Sequence, residues 1–134
     1  MKTLIVEDDL ISSKLMQVML ATFGECLCAF NGKEAIAVFQ SELEKGEPFD
    51  LICLDIMMPG VGGQEVLTAI RAIEEYLKIL PPKTVKIIMT SALNDKKNIL
   101  GAFTHQCEAY LVKPVEYERL LEQIRFLGLS PVSG

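Results

Sequence analysis

Short apolar runs alternate with amphipathic stretches along the chain, and the alternation is repeated five times. Short apolar runs bounded by turn residues predict strands, and apolar residues three or four positions apart predict helices. The predicted strands are Thr3–Val6, Cys26–Phe30, Phe49–Leu54, Val85–Met89 and Ala109–Val112. Phe49–Leu54 is apolar except for Asp50, which predicts a central strand buried on both faces.

A helix is predicted after each of these strands. The apolar markers are Ile11, Leu15, Val18 and Met19 in the first helix, Ala35, Val38, Phe39 and Leu43 in the second, Val66, Leu67, Ile70, Ile73 and Leu77 in the third, and Leu120, Leu121, Ile124 and Leu127 in the fifth. The fourth helix, at Asp95–His105, is a weaker pattern. Asp9 or Ser12 is suited to cap the first helix, because both side chains accept backbone hydrogen bonds.

Successive strand–helix units predict an α/β fold, in which a five-stranded parallel sheet carries helices on both faces. Right-handed crossovers leave few strand orders open. The chain shows no linker, internal repeat or low-complexity tract. We therefore expect one domain over residues 1–128, followed by a short flexible tail at 129–134.

Composition narrows the classes of function. The chain has 134 residues and a net charge of −5, which disfavours non-specific binding to nucleic acid or to an anionic membrane. Its apolar runs are too short to span a membrane, and its start runs directly into acidic residues, unlike a signal peptide. Cys26, Cys28, Cys53 and Cys107 form no Cys-x-x-Cys pair, which predicts reduced thiols in a cytoplasmic protein and makes zinc a remote alternative.

Polar side chains follow four of the five predicted strands. They are Glu7, Asp8 and Asp9 after the first strand, Asp55 after the third, Thr90 after the fourth and Lys113 after the fifth. Ligands of open parallel sheets bind at the carboxyl ends of the strands, where these residues are expected to meet. Crowded carboxylates repel one another unless a cation lies between them, and Mg²⁺ prefers oxygen ligands of this kind.

The chain resembles the receiver domain of bacterial two-component response regulators, the CheY-like proteins, over nearly its whole length. The matching segments are Val6-Glu7-Asp8-Asp9, Asp55-Ile56-Met57-Met58-Pro59-Gly60, Thr90-Ser91-Ala92 and Tyr110-Leu111-Val112-Lys113-Pro114. The resemblance implies the flavodoxin-like strand order 2-1-3-4-5, of which CheY itself is a standard example. In that order Lys113 starts two strands from Asp55, roughly 10 Å away at the backbone, which an extended lysine side chain can cross.

The resemblance also implies the chemistry of the site. Asp55 would be the phosphorylation site, accepting a phosphoryl group from a sensor histidine kinase or a histidine phosphotransfer protein. Mg²⁺ would be the cofactor, with Asp8, Asp55 and the backbone carbonyl of Met57 as direct ligands and Glu7 acting through water. Asp9 is expected to cap the first helix rather than touch the metal.

Thr90 and Lys113 complete the catalytic set that the resemblance implies, because they would hold the phosphoryl oxygens. Thr90 and Tyr110 would then act as the switch, changing the face formed by the fourth helix, the fifth strand and the fifth helix. That face would signal to an unknown downstream protein, and a phosphorylation-dependent dimer is left open. The protein would not be an enzyme beyond catalysing its own phosphorylation and dephosphorylation.

Several positions depart from the usual family pattern. Ser91 stands between Thr90 and Ala92, and Val115 follows the Lys-Pro pair. The family's Lys-Pro bond is cis, so a cis bond is expected before Pro114. Met57 and Ala92 are apolar where many members carry polar groups that orient a hydrolytic water, which predicts slow loss of the phosphoryl group.

Three other classes of function compete with this interpretation. A phosphatase of the haloacid dehalogenase type also forms an aspartyl phosphate, but it requires Asp-x-Asp after its first strand, where this chain has Asp8-Asp9-Leu10. A scaffold that ignores phosphorylation is disfavoured by the intact set of polar residues at the strand ends. A flavin carrier is weaker still, since no strand-to-helix loop has the pattern of a phosphate cradle.

Overall fold

The computed structural model describes residues 1–92 and 106–129, and over these ranges the chain forms one parallel sheet. Its strands are β1 at Lys2–Val6, β2 at Glu25–Ala29, β3 at Leu51–Asp55, β4 at Lys86–Ser91 and β5 at Ala109–Val112. The spatial order is β2-β1-β3-β4-β5, and every neighbouring pair is parallel. The predicted α/β fold and the 2-1-3-4-5 order are therefore confirmed.

Helices follow the strands as the periodicity predicts. They are α1 at Leu10–Leu20, which continues into a short 3₁₀ turn at Ala21–Phe23, α2 at Gly32–Glu44, α3 at Gly63–Tyr76, and the C-terminal helix at Tyr117–Phe126. The predicted cap of α1 is confirmed, because the Asp9 side chain accepts the Ser12 backbone N–H at 2.9 Å. The fourth helix predicted at 95–105 and residues 130–134 of the predicted tail lie outside the described residues.

Each face of the sheet packs against its own pair of helices. One face, represented by Ile52 and Met89, packs against α2 and α3, and the other, represented by Cys53 and Ile88, packs against α1 and the C-terminal helix. All five residues of β3 are buried, so the prediction of a central strand is confirmed. Because β3 lies between β1 and β4, its last residue, Asp55, enters the middle of the carboxyl edge.

Helix α1 does not bury the apolar positions by which its sequence is recognised. Ile11, Leu15 and Val18 are 73%, 58% and 68% exposed, and the buried residues are Ser13, Met16 and Leu20. The helix approaches the sheet through the small Ser13 and the long side chains one and two turns further on, which turns the other face outward. We call the exposed residues Leu10, Ile11, Leu15 and Val18 the α1 stripe.

At the opposite, amino edge of the sheet, Arg71 of α3 ties three elements together. Its guanidinium donates to the Glu74 carboxylate at 2.7 Å, to the Val85 carbonyl at 2.9 Å and to the Gln106 carbonyl at 2.8 Å. It also pairs with Glu108 at 2.9 Å, just before β5. The largely covered Arg71 side chain and the buried Glu74 carboxylate are tolerated because they are paired and hydrogen-bonded.

Candidate functional site

Three carboxylates meet at the carboxyl edge of β1 and β3. Glu7 and Asp55 are buried and Asp8 is exposed, and one oxygen from each lies within 4.8 Å of the others. Within residues 1–92 and 106–129 this is the only trio of His, Cys, Asp or Glu side chains close enough to share a metal ion. The arrangement has the hard oxygen donors that Mg²⁺ prefers, with one side open to solvent at Asp8.

Lys113 crosses from the end of β5 to the same site. Its Nζ lies 3.3 Å from Asp55 Oδ2 and donates a hydrogen bond to Glu7 Oε1. The reach that the sequence predicted for this side chain is thus observed. Burial alone lowers the pKa of the Lys113 ammonium, but the hydrogen bond to Glu7 and the charge of Asp55 outweigh it and raise the pKa above its ordinary value.

The negative charge of the Asp55 carboxylate is only partly compensated by its surroundings. Burial, and after it the hydrogen bond and negative charge of Glu7, raise the pKa of Asp55 to about 7, although Lys113 acts in the opposite direction. One ammonium therefore faces two buried carboxylates and leaves a local excess of negative charge. A divalent cation at this position would relieve the excess, so the donor set fits such an ion.

The loop after β3 is held close to Asp55 by the first residue of α3. The Gly63 N–H donates to the Ile56 carbonyl at 3.0 Å, and a Cβ on Gly63 would lie 2.3 Å from the Asp55 carbonyl oxygen. Only glycine permits this approach of α3 to the end of β3. Within the same loop, the Met57 N–H donates to Asp55 Oδ1 at 3.3 Å, while the Met57 side chain points to solvent.

The structure brings Glu7, Asp8, Asp55 and Lys113 together, with Thr90 beside them. Thr90 is buried and stands opposite Asp55 in the register of β3 and β4. Tyr110 does not converge with this group, because it is half-buried against the core cluster of α2 and α3. The cis bond expected between Lys113 and Pro114 is observed.

Two features of the site were missed by reasoning from the sequence. The close contact of Gly63 with the end of β3 was not predicted, although the Gly62-Gly63 pair before an amphipathic helix was a visible signal. The second is the state of Ser91, whose buried Oγ has no hydrogen-bond partner among the described residues. Its presence after Thr90 had marked the position as unusual, but burial without a partner cannot be inferred from one sequence.

Comparison with known proteins agrees with this geometry. Residues 3–125 match the family described as the response regulator receiver domain. The chain is 32% identical over 133 residues to the transcriptional regulatory protein CrdR of Helicobacter pylori, covering 98% of this chain and 57% of CrdR. It is 37% identical over 118 residues to the transcriptional regulatory protein MalR of Bacillus subtilis, covering 87% of this chain and 45% of MalR. The chain thus spans about half the length of these two regulators.

Solved structures give the same result. The response regulator TrrA of Thermotoga maritima, solved in complex with Mg²⁺ and beryllium fluoride, has a TM-score of 0.74 at 30% identity, covering 94% of this chain and 97% of that chain. A co-crystal structure of the Saccharomyces cerevisiae phosphotransfer protein Ypd1 and the receiver domain of its downstream response regulator Ssk1 has a TM-score of 0.76 at 27% identity. That match covers 96% of this chain and 88% of that chain.

A parallel sheet in the order 2-1-3-4-5 places the chain in the flavodoxin-like class of α/β domains. Within that class, the chain belongs to the response regulator receiver domains of two-component systems, a family of phosphoacceptor signalling domains. No helix in the described part of the chain is long and apolar enough to cross a membrane.

Proposed function

We propose that Asp55 is the phosphoacceptor of this domain and that Mg²⁺ binds beside it. The observation that carries the proposal is the convergence of the Glu7, Asp8 and Asp55 carboxylates with the Lys113 ammonium at one edge of the sheet. Asp55 is buried, and the exposed Asp8 lies next to it on the solvent side of the cluster. The raised pKa of Asp55 shows that the fold does not fully compensate the charge of its carboxylate, and groups of this kind are common at functional sites.

The transfer follows from this geometry. A carboxylate oxygen of Asp55 attacks the phosphorus of a phosphohistidine, forming an O–P bond as the N–P bond of the donor breaks. The electron pair of that bond returns to the donor imidazole, which takes up a proton from solvent. Lys113 lies 3.3 Å from the acceptor carboxylate and is placed to neutralise charge on the transferred oxygens.

Asp8 and Asp55, the Met57 carbonyl and, through water, Glu7 would hold the Mg²⁺ ion. When bound, the ion supplies positive charge that neutralises both the carboxylates and the phosphoryl oxygens. The structure supports this set at the three carboxylates, which already lie within 4.8 Å of one another. The related TrrA domain was solved with Mg²⁺ and beryllium fluoride, and we extend this cofactor to the present chain.

The signal to a downstream protein would arise on the side of the sheet formed by β4 and β5. Thr90 and Lys113 would hold the phosphoryl oxygens, and Tyr110 would turn inward as the end of β4 is drawn toward Asp55. The face formed by β5, the C-terminal helix and the fourth helix predicted at 95–105 would thereby change shape. We propose that a downstream protein reads this face, and dimerisation on phosphorylation remains an open alternative for its output.

The phosphodonor would be a sensor histidine kinase or a histidine phosphotransfer protein that docks on the α1 stripe. The stripe begins at Leu10, two residues after Asp8, and continues along the helix through Ile11 and Val18. A contiguous patch of exposed apolar residues is typical of an interaction surface, whereas single exposed apolar residues are common on any protein. The free Cys26, Cys28 and Cys53 thiols are consistent with the cytoplasm, where such donors reside.

Intact mass spectrometry tests the acceptor. The protein is incubated with Mg²⁺ and a small acyl phosphate, and we expect it to gain the mass of one phosphoryl group. Asp55→Asn should gain none, because the nucleophile is gone. Asp50→Asn is the matched control, since Asp50 lies at the other end of β3 and should leave the uptake unchanged.

Two results would overturn the proposal. A wild-type protein that stays unmodified with Mg²⁺ and acyl phosphate would favour a scaffold that ignores phosphorylation. Turnover of a simple phosphomonoester by the wild type, lost in Asp55→Asn, would favour a phosphatase instead.

A further inference from the structure

A small cavity lies beside the carboxylate cluster, on the face of the sheet that packs against α1 and the C-terminal helix. Its volume is about 90 Å³. Protein interiors are packed so closely that voids larger than one water molecule are few in any domain. A void of this size next to a functional site is therefore a feature whose occupant can be asked for.

Mostly apolar side chains line the cavity, and four parts of the fold contribute them. Ile5 of β1 and Cys53 of β3 come from the sheet, Met16 and Met19 from α1, and Val115 from the connection between β5 and the C-terminal helix. Water is held in a cavity only where it finds two to four polar partners, and apolar cavities stay dry. The lining therefore favours an apolar occupant over water.

The wall toward the carboxylate cluster carries the polar groups. Among the described residues that line the cavity, Glu7 and Lys113 carry the only charges, and they are hydrogen-bonded to each other. Asp8 and Asp55 do not line it. A charged occupant would lose its water without gaining a free counterion, so the wall favours an uncharged molecule.

The cavity opens to solvent between α1 and the connection that follows β5. Leu15 and Pro114 both line it and are exposed, Leu15 at 58%. The unbranched side chains of Met16 and Met19 adapt readily to the shape of a ligand. A small molecule can therefore enter while the sheet and its helices stay in place.

The volume limits what the cavity can hold. A water molecule takes about 30 Å³ of the liquid, and an engineered apolar cavity of about 150 Å³ in another protein binds benzene. Drug-sized ligands need roughly 300 Å³ or more. A cavity of about 90 Å³ suits a short alkyl chain, whose polar end would remain at the mouth beside Ser12.

We propose that this cavity is a binding site for a small, uncharged and mostly apolar molecule of the class of short-chain aliphatic alcohols. The alkyl chain would supply the contacts that Ile5, Cys53 and Val115 lack across the void. In that position the molecule would also touch Lys113, the lysine of the proposed phosphoacceptor site. Binding here requires the cavity alone and does not depend on phosphorylation of Asp55.

Methionine-methyl NMR with 1-butanol tests the site. The protein is labelled with carbon-13 at the methyl groups of its six methionines, and single methionine-to-leucine variants assign the signals. We expect 1-butanol to shift the Met16 and Met19 signals in a saturable manner. Met57 is exposed and Met89 packs on the opposite face of the sheet, so their signals should stay in place.

Variants that fill the cavity locate the binding. Val115→Phe should weaken the binding of 1-butanol roughly tenfold or more, because the larger side chain occupies the volume that the alkyl chain needs. Cys53→Ile fills the cavity from the sheet and provides the same test should Val115→Phe fail to fold. Val18→Phe is the matched control, an exposed valine of α1 that does not line the cavity, and it should leave the affinity unchanged.

Butyrate tests the chemical class of the ligand. It has the same chain length as 1-butanol but carries a charge, and we expect it to bind roughly tenfold more weakly or not at all. Equal binding of the two molecules would contradict the choice of an uncharged ligand.

Two other results would overturn the proposal. One is the lack of a saturable shift at Met16 and Met19, or an equal shift of all six methionine signals. The other is equal affinity for 1-butanol in the wild type and in the cavity-filling variants, which would place the alcohol elsewhere. Uptake of a phosphoryl group by Asp55 is measured separately by intact mass, so its failure would overturn the proposed function and leave the cavity site standing.

Discussion

At the scale of single residues, the site is an unbalanced charge cluster. Glu7 and Asp55 are both buried, and Lys113 supplies one positive charge to the pair. A fully neutralised group would be more stable but would have little tendency to bind a cation or to attack phosphorus. The excess negative charge is thus a cost to the resting fold that Mg²⁺ binding is expected to relieve.

This imbalance predicts a dependence of stability on pH. Without a divalent cation, the folded protein holds the pKa of Asp55 at about 7, above the ordinary value of 3.8. The folded state therefore binds that proton more tightly, and the stabilisation it gives is complete below the ordinary pKa and lost as the pH rises through about 7. We expect the free energy of unfolding to decrease over this window by about 2–4 kcal/mol.

Urea unfolding in the presence of a chelator, at several pH values across the window, measures this effect. Asp55→Asn removes the titrating group, so its free energy of unfolding should change less with pH and exceed that of the wild type at the alkaline end. Parallel pH profiles for the two proteins would show that the charge of Asp55 is already compensated.

The exposed, apolar side chain of Met57 leads us to predict a long lifetime for the phosphorylated state. Its side chain is 63% exposed and follows Asp55 by two residues, and its apolar surface cannot hold a hydrolytic water. We expect the wild type to lose its phosphoryl group slowly and Met57→Asn to lose it roughly tenfold faster, as ordering a reactant does. The decay is followed by intact mass after the acyl phosphate is removed.

Met58→Leu is the control for this substitution, because Met58 is the neighbouring methionine and is buried in the core. It should leave the decay unchanged. A wild type that already decays quickly, and at the same rate as Met57→Asn, would contradict the hypothesis.

At the scale of elements, α1 has one face for the sheet and a second apolar face that is exposed. We predict that Ile11→Gln and Val18→Gln together slow phosphoryl transfer from a phosphohistidine protein by tenfold or more, because docking on the α1 stripe is weakened. Phosphorylation by a small acyl phosphate should be unaffected, since it needs no docking. Stability should change by less than about 1 kcal/mol, because both side chains are exposed.

Rates of transfer from a purified phosphotransfer protein, compared with rates from acyl phosphate, measure the two effects separately. Leu80→Gln is the control, an exposed leucine in the connection from α3 to β4. An equal loss of both rates in the α1 double variant would point to damage at Asp55 instead of lost docking.

The same helix shows where periodicity stops being informative. Apolar spacing located α1, but the residues that mark it most clearly, such as Ile11 and Val18, are on its exposed side. A pattern of spacing identifies a helix without stating which face meets the sheet, and a helix with two apolar faces leaves that choice to packing. The strands were more predictable, since the run that ends at Asp55 is apolar on both faces and suits only a central position.

Buried charge was the least predictable feature. Glu74 is 3% exposed, although its sequence context of Arg71, Glu74 and Glu75 is typical of a solvated helix face. Its burial depends on Arg71 at 2.7 Å and on the Val85 N–H at 2.7 Å, the second of which comes from the entry to another strand. Partners that are distant in sequence cannot be identified from one chain without an alignment.

At the scale of the whole molecule, the strand order accounts for most of what the sequence could predict about the site. The polar residues at strand ends were predicted to meet because parallel strands place their carboxyl ends at one edge. The structure brings Asp55 between the acids that follow β1 and Thr90 of β4, with Lys113 crossing from β5. What the order does not fix is the rotamer and hydrogen bonding of each side chain, as Ser91 shows.

The sheet order has one more consequence, which concerns when the domain becomes able to accept a phosphoryl group during its synthesis. Glu7 emerges from the ribosome first and Lys113 last among the charged groups of the site, and 105 residues separate them in the sequence. A nascent chain halted before β5 would expose the carboxylates without the lysine that balances them. The domain would therefore not accept a phosphoryl group from a donor until β5 has joined the sheet, so that partly synthesised domains would not consume the phosphorylated donor.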